Sequence, residues 1–323
     1  MKHKLIILFF FVLIVISPSL LKAAVTLPEK YDELPPVDVQ IPKDVPLSIS
    51  PEVLKSEGIR ILFFADGGTG NQLEMKVAKV MENFCKKNGC HLAFMLGDNF
   101  HPTGVKSVDD QQFVDKFEKL YAGLGVPIFA VLGEHDWGRK GHMYNWKAQI
   151  DYSNKSKVWH MPSDVYSVTL SNLKIIALNT NSFPISKYQK NWLQEELSRS
   201  TTRWNLVIGH KPIHSYGYHG DTDFMVKDAL PILCGRADLY LSGHEHNEQV
   251  LKADCGLPLV IPGSTAMPRP IKTKGPRTLY ANDEPGFAYL IVKDSGITVQ
   301  LITAGEEIVY TLNIPGVNKP GGN

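Results

Sequence analysis

Five times along the 323-residue chain, an apolar run stops at a glycine beside an acid or a histidine. "IRILFFA" runs into Asp66, "HLAFML" into Gly97 and Asp98, "PIFAVL" into Gly133, Glu134 and His135, "NLVI" into Gly209 and His210, and "DLYLS" into Gly243, His244 and His246. Short continuous apolar runs bounded by glycine read as strands buried on both faces, and in open α/β sheets ligands gather at the carboxyl ends of such strands. A single strand-end Asp often caps a turn, and a single His is more often a satisfied polar group than a ligand. Five such ends in one chain point to a shared site.

Between these runs the period changes. Leu73, Val77, Val80, Met81 and Phe84 recur at helical spacing after the first strand, and helices are expected near Asp109–Leu120, Lys187–Ser200 and Phe224–Leu233. "YSVTL" and "LKIIALNT" read as a strand pair, and short strands follow at "EQVLKA", "PLVIPG", "FAYLIV", "TVQLI" and "IVYTL". The fold class is α/β, with hairpins concentrated late in the chain. With 43% hydrophobic residues, one large domain has material enough for its core.

The ends of the chain read differently. Lys2 and Lys4 precede the unbroken apolar run Leu5–Ile16, then Ser17, Pro18, Ala23 and Ala24, which is the layout of a secretory signal over residues 1–23. An uncleaved anchor is the alternative, because Leu21 and Lys22 make an imperfect cleavage site. Residues 24–57, rich in proline and acids, have neither period and form an extended lead-in; 58–312 is the expected catalytic domain and 313–323 a tail. The export signal places the protein in the periplasm or outside the cell, without stable membrane insertion once the signal is removed. Cysteines at 85, 90, 234 and 255 suit an oxidising compartment; local pairing of each couple is preferred among three connectivities, with four free thiols as the alternative. Lys and Arg number 34 against 33 acids, so no global field draws nucleic acid, and phosphate recognition must be local.

Carboxylate oxygens and imidazole nitrogens suit Fe, Zn and Mn, and a carboxylate can bridge two ions. Two ions about 3.5–4 Å apart can hold a hydroxide and neutralise a phosphoryl group during in-line displacement. "GGTGN" after the first strand lacks the Lys-Ser/Thr of a P-loop and reads as a tight turn beside Asp66.

The ordered motifs "DGG", "GDNFH", "GEHD", "VIGH" and "GHEH", with flanks such as "YHGDT" and "GFAYL", resemble those of the purple acid phosphatases, in particular the small tartrate-resistant type within the calcineurin-like metallophosphoesterases. The resemblance covers about Arg60 to Leu312. It implies two mixed β-sheets packed as a sandwich flanked by helices, and an exported acid phosphatase that hydrolyses small phosphate monoesters through a metal-bound hydroxide. Carried over residue by residue, it implies Asp66, Asp98, His246 and the side chain at 101 on one metal, with Asp98 bridging to a second held by residue 134, His210 and His244. His135 and His219 would contact phosphate and help protonate the leaving oxygen. The implied cofactor is two metal ions, Fe with Zn, Mn or a second Fe.

Two positions depart from that pattern: His101 stands where the family has a tyrosine whose phenolate stabilises ferric iron, and Glu134 where it has a neutral asparagine. A neutral imidazole favours a divalent ion and a colourless protein, unless His101 swings out before Pro102 and binds nothing. Glu134 should repel a phosphate dianion unless screened. A phosphodiesterase of the same superfamily and a catalytically impaired scaffold are therefore the alternatives. His142 and His214 lie near the motifs, with a solvated or capping role expected for both, and Trp137, Tyr144 and Trp146 offer either a rim for an organic leaving group or packing under a loop.

Overall fold

The computed structural model describes residues 43–47, 58–137 and 145–316. The expected signal segment and most of the lead-in and tail lie outside these residues, as do His142 and Tyr144.

The apolar runs become the parallel centres of two sheets. In one, β2 (Ile59–Phe64), β3 (Leu92–Met95), β4 (Ile128–Ala130) and β5 (Trp159–His160) run parallel, and β13 (Gly286–Lys293), β14 (Gly296–Thr303) and β15 (Ile308–Pro315) extend the β2 edge antiparallel. The other holds β1 (Lys43–Leu47), β6 (Tyr166–Leu170), β7 (Leu173–Ala177), β8 (Trp204–Ile208), β9 (Leu239–Leu241), β10 (Glu248–Lys252), β11 (Pro258–Pro262) and β12 (Thr278–Asn282). Its order is β1-β6-β7-β8-β9-β11-β10-β12, with β7, β8, β9 and β11 mutually parallel.

Every second side chain of the inner strands faces the opposite sheet. Ile61, Phe63, Phe94 and Phe129 meet Val168, Ile175, Leu206, Leu241 and Val260 in one buried cluster between the sheets. The Phe63 and Phe94 rings stack at 5.2 Å and those of Phe94 and Phe129 at 5.4 Å, pairs worth about 1 kcal/mol each beyond their buried area. The alternate side chains face outward onto helices. Leu62, Phe64 and Met95 pack against Val77 and Met81 of helix Gln72–Asn88, and Ile176 and Val207 against Leu193 and Leu197 of helix Lys187–Arg199. Each helix starts where a side chain caps it: Asn71 Oδ1 accepts from the Glu74 amide and Ser186 Oγ from that of Gln189. The sandwich flanked by helices is thus the architecture that the resemblance implies.

Some elements differ from the sequence reading. The helices expected near Asp109 and Phe224 widen to i→i+5 hydrogen bonding over Val114–Glu118 and Met225–Ala229, a local feature that periodicity does not register. β1 lies within the lead-in, where no alternation marks it, and forms because its backbone pairs with the edge of β6. Asp44 Oδ1 accepts from Ser167 Oγ and Thr169 Oγ1, and Pro46 is tolerated because β1 is itself an edge. β15 continues to Pro315, past the expected boundary at 312. Both local cysteine pairs form disulfides, Cys85–Cys90 and Cys234–Cys255. Among the described residues, no helix is long and apolar enough to cross a membrane.

Candidate metal centre

The loops leaving β2, β3, β4, β8 and β9 at their carboxyl ends converge on one pocket. Asp66, Asp98 and Glu134 come from the seven-stranded sheet, with His101 and His135; His210, His244 and His246 come from the eight-stranded one. Among the described residues, four three-residue sets have ligand atoms within 4.8 Å of one another: Asp98–His101–His246, Glu134–His210–His244, Asp66–Asp98–His210 and Asp98–Glu134–His135. Asp98 belongs to three of the four sets, the place expected of a bridging carboxylate.

The backbone is bent to achieve this. Among the described residues, six non-glycine residues have positive φ, and four of them are Asp66, Asp98, His244 and His246. Such conformations cost energy and persist where the surroundings fix them, often at functional sites. The loops are also packed to the limit. A Cβ on Gly133 would lie 2.1 Å from Asp98 Oδ1, and one on Gly97, where φ is 90°, 2.6 Å from His210 Nδ1.

Backbone carbonyls orient the imidazoles. His210 Nδ1 lies 2.8 Å from Leu96 O and His246 Nδ1 2.7 Å from Met267 O, so protons on these two Nδ1 atoms leave the Nε2 lone pairs for the pocket, while His135 Nδ1 is held 2.7 Å from Pro102 O. His210 Nε2 stands 3.4 Å from Asp98 Oδ2 and 2.9 Å from Glu134 Oε2, and His246 Nε2 3.7 Å from Asp66 Oδ1. The His101 ring is buried and points inward, its Nε2 3.6 Å from Asp98 Oδ2. Asp66 Oδ2, His101 Nε2 and His210 Nε2 are buried without a hydrogen-bond partner, even the short His210–Glu134 approach being misaligned. Orphaned lone pairs of this kind, beside three clustered carboxylates, are the donor set a pair of cations would satisfy.

At three of the imidazoles the electrostatics agree. Burial lowers His101 and His244 to about 4 and His246 to about 3, keeping them neutral as ligands must be. Burial also raises Asp66 well above the ordinary carboxylate range, with Asp98 adding to the shift. At His210, burial is outweighed by Asp98 and Glu134, which hold the ring well above its usual value, and His210 in turn holds both carboxyls low.

His135 and His219 relate to these sets differently: His135 joins Asp98 and Glu134 in the fourth, and His219 belongs to none. His135 Nε2 is 4.0 Å from Asp98 Oδ2, and its amide donates to Asp98 Oδ1 at 2.9 Å. The exposed His219 stacks its ring 4.2 Å from that of His244, while Arg269 Nη1 lies 2.8 Å from its Nε2. Burial and then the Arg269 charge lower its pKa. His214, buried away from the ligands, pairs with Asp221 Oδ2 at 2.7 Å and ties a loop, and Trp137 stacks on Trp146 at 4.9 Å.

Three residues here escaped the sequence reading. Lys211 places Nζ 3.3 Å from Glu134 Oε2 and 3.5 Å from His244 Nε2, a cation directly beside the Glu134 carboxylate; its only signal is its place beside His210. Asp136, fully buried, accepts from the amides of Asn99, Phe100 and Gly133 and from Gln149 Nε2, so it cross-links the two loops that carry Asp98 and Glu134. Burial, reinforced by Asp98, pushes its pKa up to about 7. Glu74 accepts from the amides of Gly68, Thr69 and Gly70 and folds the glycine turn beside Asp66.

Comparison with known proteins agrees with this geometry. Residues 59–248 match the family model for calcineurin-like phosphoesterases. The tartrate-resistant acid phosphatase type 5 of Oryctolagus cuniculus is 31% identical over 279 residues, covering 75% of this chain and 84% of its own. That of Homo sapiens is 30% identical over 284 residues, covering 76% and 86%. Among solved structures, GAP50, the anchor in the inner membrane complex of Plasmodium, shares the fold with a TM-score of 0.73 at 24% identity, covering 82% of this chain and 91% of that one. The chain therefore belongs to the calcineurin-like phosphoesterase family, with tartrate-resistant acid phosphatases among its relatives.

Proposed function

We propose that the protein is an exported, dinuclear-metal acid phosphatase that hydrolyses small phosphate monoesters, with residues 58–312 as the catalytic domain. The observation that carries this reading is the convergence of Asp66, Asp98, His101, Glu134, His210, His244 and His246, from five distant segments, with buried lone pairs left unpartnered. Asp66, Asp98, His101 and His246 would hold one cation, and Asp98, Glu134, His210 and His244 the other. Bound there, two cations would lower the pKa of a shared water and neutralise phosphoryl oxygens.

The protein's own groups do the rest. Asp136 and the backbone carbonyls fix the ligands, His135 at the pocket edge donates to a phosphoryl oxygen, and His219, together with His135, is the proton source for the leaving alkoxide. Lys211 offsets the Glu134 charge, so that an incoming dianion does not meet an unscreened carboxylate. Exchanging a phenolate at 101 for imidazole and an amide at 134 for carboxylate moves one negative charge from the first cation to the second. Lys211 then supplies the positive charge that a ferric ion would carry, which favours two divalent ions. The two disulfides suit the oxidising compartment that export provides.

The substitutions at 101 and 134 keep two other readings in play, a phosphodiesterase and a scaffold without turnover. Metal analysis of the purified protein, with hydrolysis of a chromogenic monoester and its bis-ester from about pH 4 to 8 after adding back Fe, Zn or Mn, separates the three. Monoester turnover with about two metal equivalents is expected. Preference for the diester, or less than one equivalent of metal with no turnover, refutes it.

A further inference from the structure

Beside His219 opens a cavity of about 480 Å³ lined by Tyr218, Arg269, Pro270 and Lys272. We infer that this cavity is a leaving-group pocket selecting aryl phosphates whose leaving group carries a second anionic group. The inference rests on the phosphatase reading and adds to it the substrate class.

The position of the pocket follows from contacts already at the metal centre. The His219 ring lies 4.2 Å from that of His244, and Arg269 Nη1 reaches His219 Nε2 at 2.8 Å. A phosphoryl group held among the ligands with its ester oxygen toward His219 would place its leaving group at this cavity. Tyr218 is 68% exposed, its ring edge-to-face with His219 at 5.1 Å and the Arg269 guanidinium 5.9 Å from its ring centre. A flat aromatic leaving group would stack there, and an anion on its far edge would meet Arg269 and the exposed Lys272.

The walls are built rather than incidental. The Arg269 amide donates to His246 O at 2.8 Å, tying that wall to a ligand residue. The amides of Lys272 and Thr273 donate to Tyr216 O at 3.1 and 3.2 Å, joining the Arg269 segment to the Tyr218 segment. Glu245 Oε2 accepts from the His219 amide at 3.0 Å, and Gln249 Oε1 from that of Tyr216 at 2.8 Å, fixing the loop that presents the ring. Glu245 is itself buried beneath this loop.

The test uses non-hydrolysable ligands and the full-length, metal-loaded protein. Calorimetric titration compares methylphosphonate, benzylphosphonate and 4-carboxybenzylphosphonate. The carboxylate should tighten binding about tenfold over benzylphosphonate, the gain of one charge-assisted contact in a partly exposed site. Lys272→Ala should remove most of that gain without weakening benzylphosphonate, and Tyr218→Ala should bring benzylphosphonate toward methylphosphonate. Equal affinities for the two benzyl ligands in the parent protein overturn the assignment, as does failure of either to bind. Failure of the phosphatase reading is seen separately, as absence of phenyl phosphate turnover while the order of phosphonate affinities persists.

Discussion

Replacing Lys211 by methionine removes one positive charge from the second half of the metal centre while keeping the length of the side chain. At 3.3 Å, an ammonium and a carboxylate attract by about 5 kcal/mol at an effective dielectric of about 20, and by about 1.3 kcal/mol in bulk water. The Lys211 and Glu134 side chains are 21% and 20% exposed, so solvent screening places the effect near the lower end, at about 2 kcal/mol. An anion docked at similar range loses the same interaction, so inhibition by inorganic phosphate should weaken about thirtyfold in Lys211→Met. Cation affinity should move the other way, because a positive neighbour has gone, and competition with a chromogenic chelator measures it. The double variant Glu134→Asn/Lys211→Met should recover most of the lost phosphate affinity, giving a large coupling in the double-mutant cycle. Unchanged phosphate inhibition in the single variant, or strict additivity in the double, would refute the compensation.

His101→Tyr loaded with ferric iron should develop a visible charge-transfer band; absence of colour after iron uptake counts against residue 101 as a ligand. Breaking the Cys234–Cys255 bridge by replacing both cysteines with serine frees a loop of sequence separation 21. The cost expected from chain entropy is about 3 kcal/mol, read as a lowered denaturation midpoint, and no loss would mean that the bridge constrains little. Burial raises the Asp164 pKa above its ordinary 3.8, so the native state holds that proton more tightly than the unfolded state does. This contribution is therefore complete below 3.8 and is lost as pH rises through the native pKa. Asp164→Asn should shrink the stability difference between about pH 4 and pH 7 in urea melts, and a steeper pH dependence would sink that assignment.

The strand ends were legible because burial of a parallel strand demands continuous apolar residues, against which Asp98 or His210 stands out. Pairing of neighbouring cysteines was legible too, since Cys85 and Cys90 are 5 apart in sequence and Cys234 and Cys255 flank two strands. Lys211 was not, because its meaning comes from Glu134, 77 residues away, and no local period encodes that encounter. Asp136 stood in plain view within "GEHD", but its role lies in amides of another loop, which sequence leaves unspecified. Arg269 and Tyr218, 51 positions apart by their numbers, meet only through the folded segments that carry them. β1 had no signature because an edge strand is defined by the partner it finds, here β6.

The two sheets contribute unlike halves to the pocket. All three carboxylates hang from one, while His210, His244, His246 and Lys211 hang from the other. Cations seated there would rivet the sandwich at its rim, so a slip between the layers, even one begun at Phe94 deep inside, would loosen their grip. Metal occupancy should thus act as a gauge of how well the layers are docked, and a core substitution remote from the rim would register first as a faster escape of ions.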